Sequence, residues 1–177
     1  LNASNNYTRH EGKFYTIAQA RELVEWARQH GVTVIPEVDM PGHSDAFTRA
    51  FGYKMQTTEG LATLKVLMTE ICDVFSGTEW IHIGTDEVQI TMAEFVPEMV
   101  AHIRAQGKKV VSWNPGYNYK TGEVDMVQMW SSRGAPLAGT PTIDSRYHYI
   151  NHFDQFADIV GIYNSNIAGQ TKGSHEY

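Results

Sequence analysis

Hydrophobic residues along the chain follow two alternating patterns. Apolar positions at three- and four-residue steps, each series followed by a glycine, predict helices over residues 17–30, 61–75 and 92–105. Short apolar runs rich in β-branched and aromatic residues predict strands over residues 32–35, 80–83, 109–113, 124–130 and 140–144. Thr16 is predicted to cap the first helix, and Gly31 to end it.

The order of these elements predicts a parallel sheet. Helices precede strands repeatedly, and the strands are short and apolar, as burial on both faces requires. Parallel strands place their carboxyl ends at one edge of the sheet. The polar and aromatic residues after these strands are Asp39, His43, Asp86, Glu87, Trp113, Trp130 and Tyr149. This arrangement predicts the rim of a barrel or half barrel, with an active site at its C-terminal face.

Two adjacent acids, Asp86 and Glu87, follow the strand that begins at Trp80. Two close carboxyl groups cannot both ionise cheaply, and burial raises the pKa of at least one of them. One acid can then donate a proton while the other remains anionic. An equally good interpretation of this stretch alone makes Asp86 a helix N-cap, with Glu87 in the first helical turn.

The aromatic residues at the strand ends change the expected substrate. Sugar rings have apolar faces that stack on tryptophan and tyrosine, and their hydroxyl groups need hydrogen-bond partners. A pair of acids between aromatic walls therefore suits cleavage of a glycosidic bond.

Composition narrows the possible partners. The 177 residues are 42% hydrophobic and carry a net charge of −6 without a block of like charges, so we expect one domain that does not bind nucleic acid. No apolar run is long enough to span a membrane. The single cysteine, Cys72, lies in an apolar helical pattern and is expected in the core. Leu1 is an unusual first residue, so we expect an excised piece of a longer protein.

Two segments together resemble a known family. Residues 34–43 (VIPEVDMPGH) and residues 82–88 (HIGTDEV) are similar, in this order, to family 20 glycoside hydrolases, the β-N-acetylhexosaminidases. The resemblance extends from about Phe14 into the tail. It implies a (β/α) TIM-type barrel that removes terminal non-reducing β-linked GlcNAc or GalNAc. It also implies a retaining mechanism in which the substrate's own 2-acetamido oxygen attacks the anomeric carbon and forms an oxazolinium intermediate.

The resemblance implies a role for each residue at the rim. Glu87 matches the general acid, and Asp86 matches the acid that orients the acetamido group and stabilises charge on its nitrogen. Tyr149 matches the hydroxyl that holds the acetamido oxygen. Trp113 and Trp130 match walls of the acetamido pocket. His43 matches a histidine beside the general acid. N-acetylhexosamine-terminated glycans are the implied partners, and no cofactor or metal is expected.

Two departures from the family pattern stand out. Thr85 replaces the second glycine of the usual HIGGDE motif, which bears on activity more than on fold.

A complete barrel needs about 250 residues. The resemblance therefore implies that residues 1–177 form a single partial catalytic domain of about five parallel βα units, without the first two strands and the last. We expect such a piece to be inactive alone and to self-associate through its open edges, and the longer protein to be secreted or periplasmic.

Several neighbouring residues keep more than one interpretation. Asp39 and Glu37 are expected to support the site by bonding loop amides near the rim. His82 is expected to be structural rather than a metal ligand, because a strand and turn do not present positions four apart on one face.

Tyrosines near the strand ends are also ambiguous. Tyr147 or His148 could take the place of Tyr149 if the strand register differs by one residue. Tyr117 and Tyr119 are expected in a solvated loop, with contact to a longer glycan as the alternative.

Two other functions stay open. The chain could be a non-catalytic glycan-binding remnant of such an enzyme, with Thr85 as its mark. It could also be a metal-dependent hydrolase that uses His82, Asp86 and Glu87, although such chemistry requires three convergent ligands.

Overall fold

The computed structural model describes residues 12–146 of the chain. Within them it has four helices and five strands. In chain order they are α1 (Ile17–Gln29), β1 (Glu37–Met40), α2 (Asp45–Phe51), α3 (Thr58–Val74), β2 (Trp80–Gly84), α4 (Phe95–Ala105), β3 (Lys109–Asn114), β4 (Met126–Met129) and β5 (Thr142–Asp144). The predicted site residue Tyr149 and its neighbours Tyr147 and His148 lie outside the described residues.

The five strands form one sheet in the order β1-β2-β3-β4-β5, and every pair is parallel. The register places Ile81 opposite Val110 and His82 opposite Val111. The predicted parallel α/β sheet is therefore confirmed. All five strands point the same way, so their carboxyl ends lie along one edge of the sheet.

The first helix begins and ends as the sequence predicts. Thr16 accepts a hydrogen bond from the Gln19 backbone N–H, and the Gln19 side chain accepts one from the Thr16 N–H, which completes a capping box. Gly31 follows the last turn with φ of +74°, a left-handed conformation that glycine adopts without strain.

The first strand lies further along the chain than predicted. The register sets Glu37 opposite His82, and the His82 N–H donates to the Pro36 carbonyl. Residues 32–34 therefore extend beyond the amino end of β2, and Val32 is exposed. The apolar run at 32–35 leads into the strand instead of forming it. The short helix α2 was not predicted.

Among the five described strands, three follow a helix, as the three predicted helices require, so five strands are present but not five complete βα units. The connections before β4 and β5 run through residues 115–125 and 130–141 without a helix. In the first of these loops, Tyr117 and Tyr119 pack their rings together, with centroids 4.9 Å apart, and contribute to the hydrophobic core. These two rings cover part of the sheet and α4 that a crossover helix would otherwise cover.

The core lies between one face of the sheet and the helices. Ile81 and Ile83 on β2 are fully buried and belong to one cluster with residues of α3 and α4, among them Leu64, Met68, Phe95, Met99 and Ile103. Cys72 is buried in the same cluster, which confirms its predicted place. Side chains alternate along a strand, so His82, Val111 and Trp113 share the opposite face.

Truncation of Phe95 tests this core. Phe95 is fully buried at the start of α4, so we expect Phe95→Ala to lower the free energy of unfolding by about 3–5 kcal/mol. Val66 lies on α3 but is 71% exposed, and Val66→Ala should change the free energy by less than about 0.5 kcal/mol. Urea titration followed by circular dichroism measures both, and equal effects would contradict this packing.

Candidate active site

The two acids lie in a left-handed turn at the carboxyl end of β2. Gly84, Thr85 and Glu87 have φ of +66°, +74° and +57°. The next helix, α4, begins only at Phe95, and its N-cap is Glu94. The alternative interpretation of Asp86 as a helix N-cap is therefore wrong. We call residues 84–87 the acid turn.

Glycine is required at the first position of the acid turn. A Cβ on Gly84 would lie 1.8 Å from Asp39 Oδ1, far inside contact distance. The carboxylate of Asp39, from the end of β1, thus packs directly on the acid turn. Burial is the main cause that raises the pKa of Asp39, and the charge of Glu37 adds to it.

Asp86 is the buried member of the acid pair, with 9% of its surface exposed. Burial raises the pKa of its carboxyl group, and the charge of Asp39 raises that pKa further, with a smaller contribution from Glu87. Asp39 and Asp86 therefore interact electrostatically across two neighbouring strand ends. A buried carboxylate of this kind interacts strongly with any positive charge that a ligand brings beside it, because little water screens the pair.

Glu87 is the exposed member of the pair and is held by a histidine. His43 Nε2 lies 2.9 Å from Glu87 Oε2, and about half or more of each side chain is accessible. The hydrogen bond to Glu87 raises the pKa of His43, as does the charge of Asp39. The two acids thus occupy contrasting environments although they are adjacent in sequence.

The turn before α2 places His43 opposite the acid turn. Gly42 packs against the Val88 side chain, where a Cβ would lie 3.3 Å from Cγ1, and His43 itself has φ of +51°. The histidine of the VIPEVDMPGH segment therefore lies beside the acid pair, which follows the neighbouring strand β2.

Trp113 contacts Glu37 and His82 on the face of the sheet opposite the helices, which we call the inner face. Its indole N–H donates to Glu37 Oε1 at 2.8 Å, and its ring lies 4.5 Å from the His82 ring. Glu37 was expected to bond a loop amide, but here its described hydrogen bond comes from this indole. Glu37 thus links β1 to the aromatic residue at the end of β3.

His82 is bonded to the backbone of the acid turn. Its Nδ1 accepts the Gly84 backbone N–H at 3.0 Å, and the side chain is 2% exposed. Burial lowers its pKa to about 4, so the ring is neutral at physiological pH. In this tautomer Nδ1 accepts the backbone N–H of the acid turn and Nε2 carries the ring proton.

Trp130 directly follows β4 and is bonded to the loop after β3. Its indole N–H donates to the Pro115 carbonyl at 2.8 Å, and its backbone N–H donates to the Asn114 carbonyl at 3.1 Å. Gly116, which follows Pro115 in the chain, packs on the acid turn. A Cβ at this position would lie 2.9 Å from the Thr85 carbonyl oxygen and 3.4 Å from Asp86 Cα. One short loop therefore contacts both Trp130 and the acid turn.

A pair of hydroxyl groups beneath the acids was not predicted from the sequence. Thr85 Oγ1 lies 3.0 Å from the Tyr119 hydroxyl, and the Tyr117 N–H donates to the Thr85 carbonyl at 2.8 Å. Tyr119 is 8% exposed, so its expected place in a solvated loop is wrong. The only signal in the sequence was a threonine where the family motif has glycine, together with two tyrosines in the loop of a neighbouring strand.

Neither a metal cluster nor a membrane span is found among residues 12–146. No group of three or more His, Cys, Asp or Glu side chains in this range is arranged to hold a metal ion. In the same range, no helix combines the length and apolarity that crossing a bilayer requires.

Comparison with known proteins gives concordant matches. A sequence profile for "Glycosyl hydrolase family 20, catalytic domain" matches residues 2–60. A β-N-acetylhexosaminidase from Cellulomonas fimi is 30% identical over 151 residues, which covers 71% of this chain and 30% of that protein. A β-hexosaminidase from Vibrio furnissii is 26% identical over 176 residues, with 73% and 29% covered. The crystal structure of β-N-acetylhexosaminidase from Bacteroides fragilis NCTC 9343 superposes with a TM-score of 0.64 at 24% identity, over 78% of this chain and 37% of that one.

In (β/α)-barrel enzymes the active site lies at the carboxyl ends of the parallel strands, which is where this chain has its two adjacent acids. The sequence matches identify the class further: the chain belongs to glycoside hydrolase family 20, a family of glycosidases, as the two motifs implied. The likeness to the solved structure supports the fold alone. The chain spans about 30% of the length of the curated relatives.

The contact between His43 and Glu87 predicts a change in titration. Since the hydrogen bond to Glu87 is the largest cause that raises the pKa of His43, we expect Glu87→Gln to lower that pKa toward the ordinary value for histidine. NMR titration of the imidazole resonances measures it. Glu94→Gln, a change at the N-cap of α4, should leave the His43 pKa unchanged. An unaltered pKa in Glu87→Gln would rule out the contact in solution.

Burial of neutral His82 predicts a loss of stability in acid. In the unfolded chain a histidine takes up a proton near pH 6.5, whereas folded His82 does so only near pH 4. The unfolded state therefore binds more protons between these values, and stability falls as the pH falls through this window, by roughly 3 kcal/mol in total. Relative to wild type, His82→Gln should lose this component in urea titrations at several pH values. His30→Gln, at the exposed end of α1, should keep it.

Proposed function

We propose that the protein containing this chain is an exo-acting β-N-acetylhexosaminidase. It would remove terminal non-reducing β-linked GlcNAc or GalNAc with retention, through attack by the substrate's own 2-acetamido oxygen. The observation that carries the proposal is the division of the acid pair: Glu87 is exposed and bonded to His43, while Asp86 beside it is buried. Substrate-assisted cleavage requires one acid to exchange protons and a second to hold the acetamido group.

Glu87 suits the general acid and base. Its carboxyl group is accessible, so it can reach the glycosidic oxygen of a bound sugar. His43 Nε2 contacts the carboxylate at 2.9 Å and can orient it, and a proton on His43 stabilises the anion after the leaving group departs. The same carboxylate would then activate the water that opens the oxazolinium intermediate.

Asp86 suits the acid that orients the acetamido group. It lies next to Glu87 but faces inward, where charge interactions are weakly screened. Its carboxylate would accept the acetamido N–H and stabilise the positive charge that develops on this nitrogen. Because it must be anionic to do so, its raised pKa predicts a loss of activity on the acid side of the pH profile.

The aromatic residues suit the walls of the acetamido pocket. Trp113 is held by Glu37 and His82, and Trp130 is held by the Pro115 carbonyl, so both rings have fixed positions at the carboxyl edge. Rigid aromatic faces bind sugars at little cost in side-chain entropy. The assignment of Tyr149 to the acetamido oxygen stays a prediction from the resemblance.

We further propose that the five parallel strands are part of a larger (β/α) barrel, without its first two strands and its last. On this proposal the chain alone does not hydrolyse glycosides, and its open sheet edges favour self-association. A secreted or periplasmic location of the longer protein belongs to the same proposal.

A glycan-binding protein without turnover is the second candidate. Thr85 favours it, because this β-branched residue takes φ of +74° at a position where the family motif has glycine. The left-handed conformation costs roughly 1–2 kcal/mol for a residue with a Cβ. An inactive descendant would tolerate such a replacement more readily than an enzyme.

Substrate comparison in the full-length protein tests the proposal. Hydrolysis of 4-nitrophenyl N-acetyl-β-glucosaminide is expected, with little hydrolysis of the corresponding β-glucoside, because only the first carries the 2-acetamido nucleophile. Glu87→Gln should reduce kcat by about 10²–10⁴-fold by removing the general acid. Glu94→Gln serves as the matched control and should retain wild-type rates.

Two outcomes would decide against the enzyme. Equal rates on the two substrates would refute the substrate-assisted mechanism. Binding of N-acetylglucosamine in calorimetry, with no turnover by the wild-type protein, would establish the glycan-binding alternative instead.

A further inference from the structure

The acid turn of this chain contains a contact that the family motif, with glycine at position 85, cannot form. Thr85 is 1% exposed and lies between Gly84 and Asp86 with a left-handed backbone. Its Oγ1 donates to the Gly84 carbonyl at 2.6 Å and lies 3.0 Å from the Tyr119 hydroxyl. A hydroxyl group has one proton, which Thr85 uses toward Gly84, so Tyr119 must be the donor of the second bond.

Tyr119 is well suited to be a permanent donor. It is buried in the loop after β3, and burial raises the pKa of its hydroxyl to about 12, so the proton stays in place over the range in which the protein would function. The same loop contacts the acid turn twice more: the Tyr117 N–H donates to the Thr85 carbonyl, and Gly116 packs on Asp86 Cα. The loop and the acid turn therefore form one connected unit.

We infer that Tyr119 is a positioning residue, whose hydroxyl holds Thr85 in its left-handed conformation and thereby keeps the Asp86 carboxyl group directed inward. The inference deepens the proposed function and rests on it in one respect, namely that an inward Asp86 serves to hold an acetamido group. On this account Thr85 is not a mark of lost activity. The hydrogen bond from Tyr119 offsets the backbone strain at Thr85, a strain that the glycine of the family motif would not have.

A double-mutant cycle on the full 177-residue chain tests the pair. Tyr119→Phe removes only the donor oxygen and should lower Tm by about 2–4 °C in the Thr85 background. In the Thr85→Gly background the acceptor is absent and the backbone is unstrained, so the same change should lower Tm by less than half as much. Tyr117→Phe, on the same loop, is the matched control and should show no coupling to position 85.

The position of Asp86 is read separately, by NMR titration of its side-chain carboxyl carbon. If the turn relaxes, Asp86 gains solvent, and Tyr119→Phe should lower the Asp86 pKa toward the ordinary value for aspartate. Asp39, Glu87 and His43 face the same carboxyl group, and none of them is altered in this variant. Thr85→Ser keeps the hydroxyl and should preserve the wild-type Asp86 pKa. This variant provides a test that does not depend on the folding of Tyr119→Phe.

Each outcome is decisive. An equal Tm loss in both backgrounds would show that the Tyr119 hydroxyl acts through its other partner, the Ser112 side chain, and would overturn the inference. A lower Tm with an unchanged Asp86 pKa would show a merely structural role and would overturn the positioning inference. Absence of N-acetylglucosaminide hydrolysis by the full-length protein that contains this chain, with the coupling and the pKa change intact, would remove the proposed function and leave the Thr85–Tyr119 contact established.

Discussion

The left-handed acid turn is the constraint on which the rest of the site depends. Thr85 and Glu87 adopt positive φ, which costs roughly 1–2 kcal/mol for each residue with a Cβ. Such a conformation persists only where surrounding structure enforces it. Here Asp39 packs on it from β1, and the loop after β3 bonds it from the other side. The turn directs two adjacent carboxyl groups into different environments, one inward and one toward solvent.

This division gives two adjacent carboxyl groups different electrostatic environments. Asp86 is buried next to Asp39, and both of their pKa values are raised, whereas Glu87 lies in solvent and is bonded to His43. Neutral His82 supports the turn from the inner face of the sheet through its bond to the Gly84 N–H. The proton chemistry of the site is thus set by burial and by contacts from two neighbouring elements, more than by the two acids themselves.

The connections after β3 and β4 show how the architecture adapts around this site. Without a crossover helix before β4, the rings of Tyr117 and Tyr119 contribute to the core, and the loop that carries them lies directly against the acid turn. The same loop accepts the Trp130 indole N–H. One segment therefore contributes to the hydrophobic core, contacts the acid turn and holds the Trp130 ring, so it connects more of this edge of the sheet than its loop-like sequence indicates.

The sequence by itself determined the parallel sheet, three of the four described helices and the residues at the strand ends. These features depend on local periodicity, capping and motif order, which are properties of short segments. Tertiary structure alone decided the rest. It placed the first strand at Glu37–Met40 through register with β2, added the short helix α2 and buried Tyr119. It also gave Asp86 and Glu87 opposite surroundings. These outcomes depend on contacts between residues that are distant in sequence, and no local pattern records such contacts.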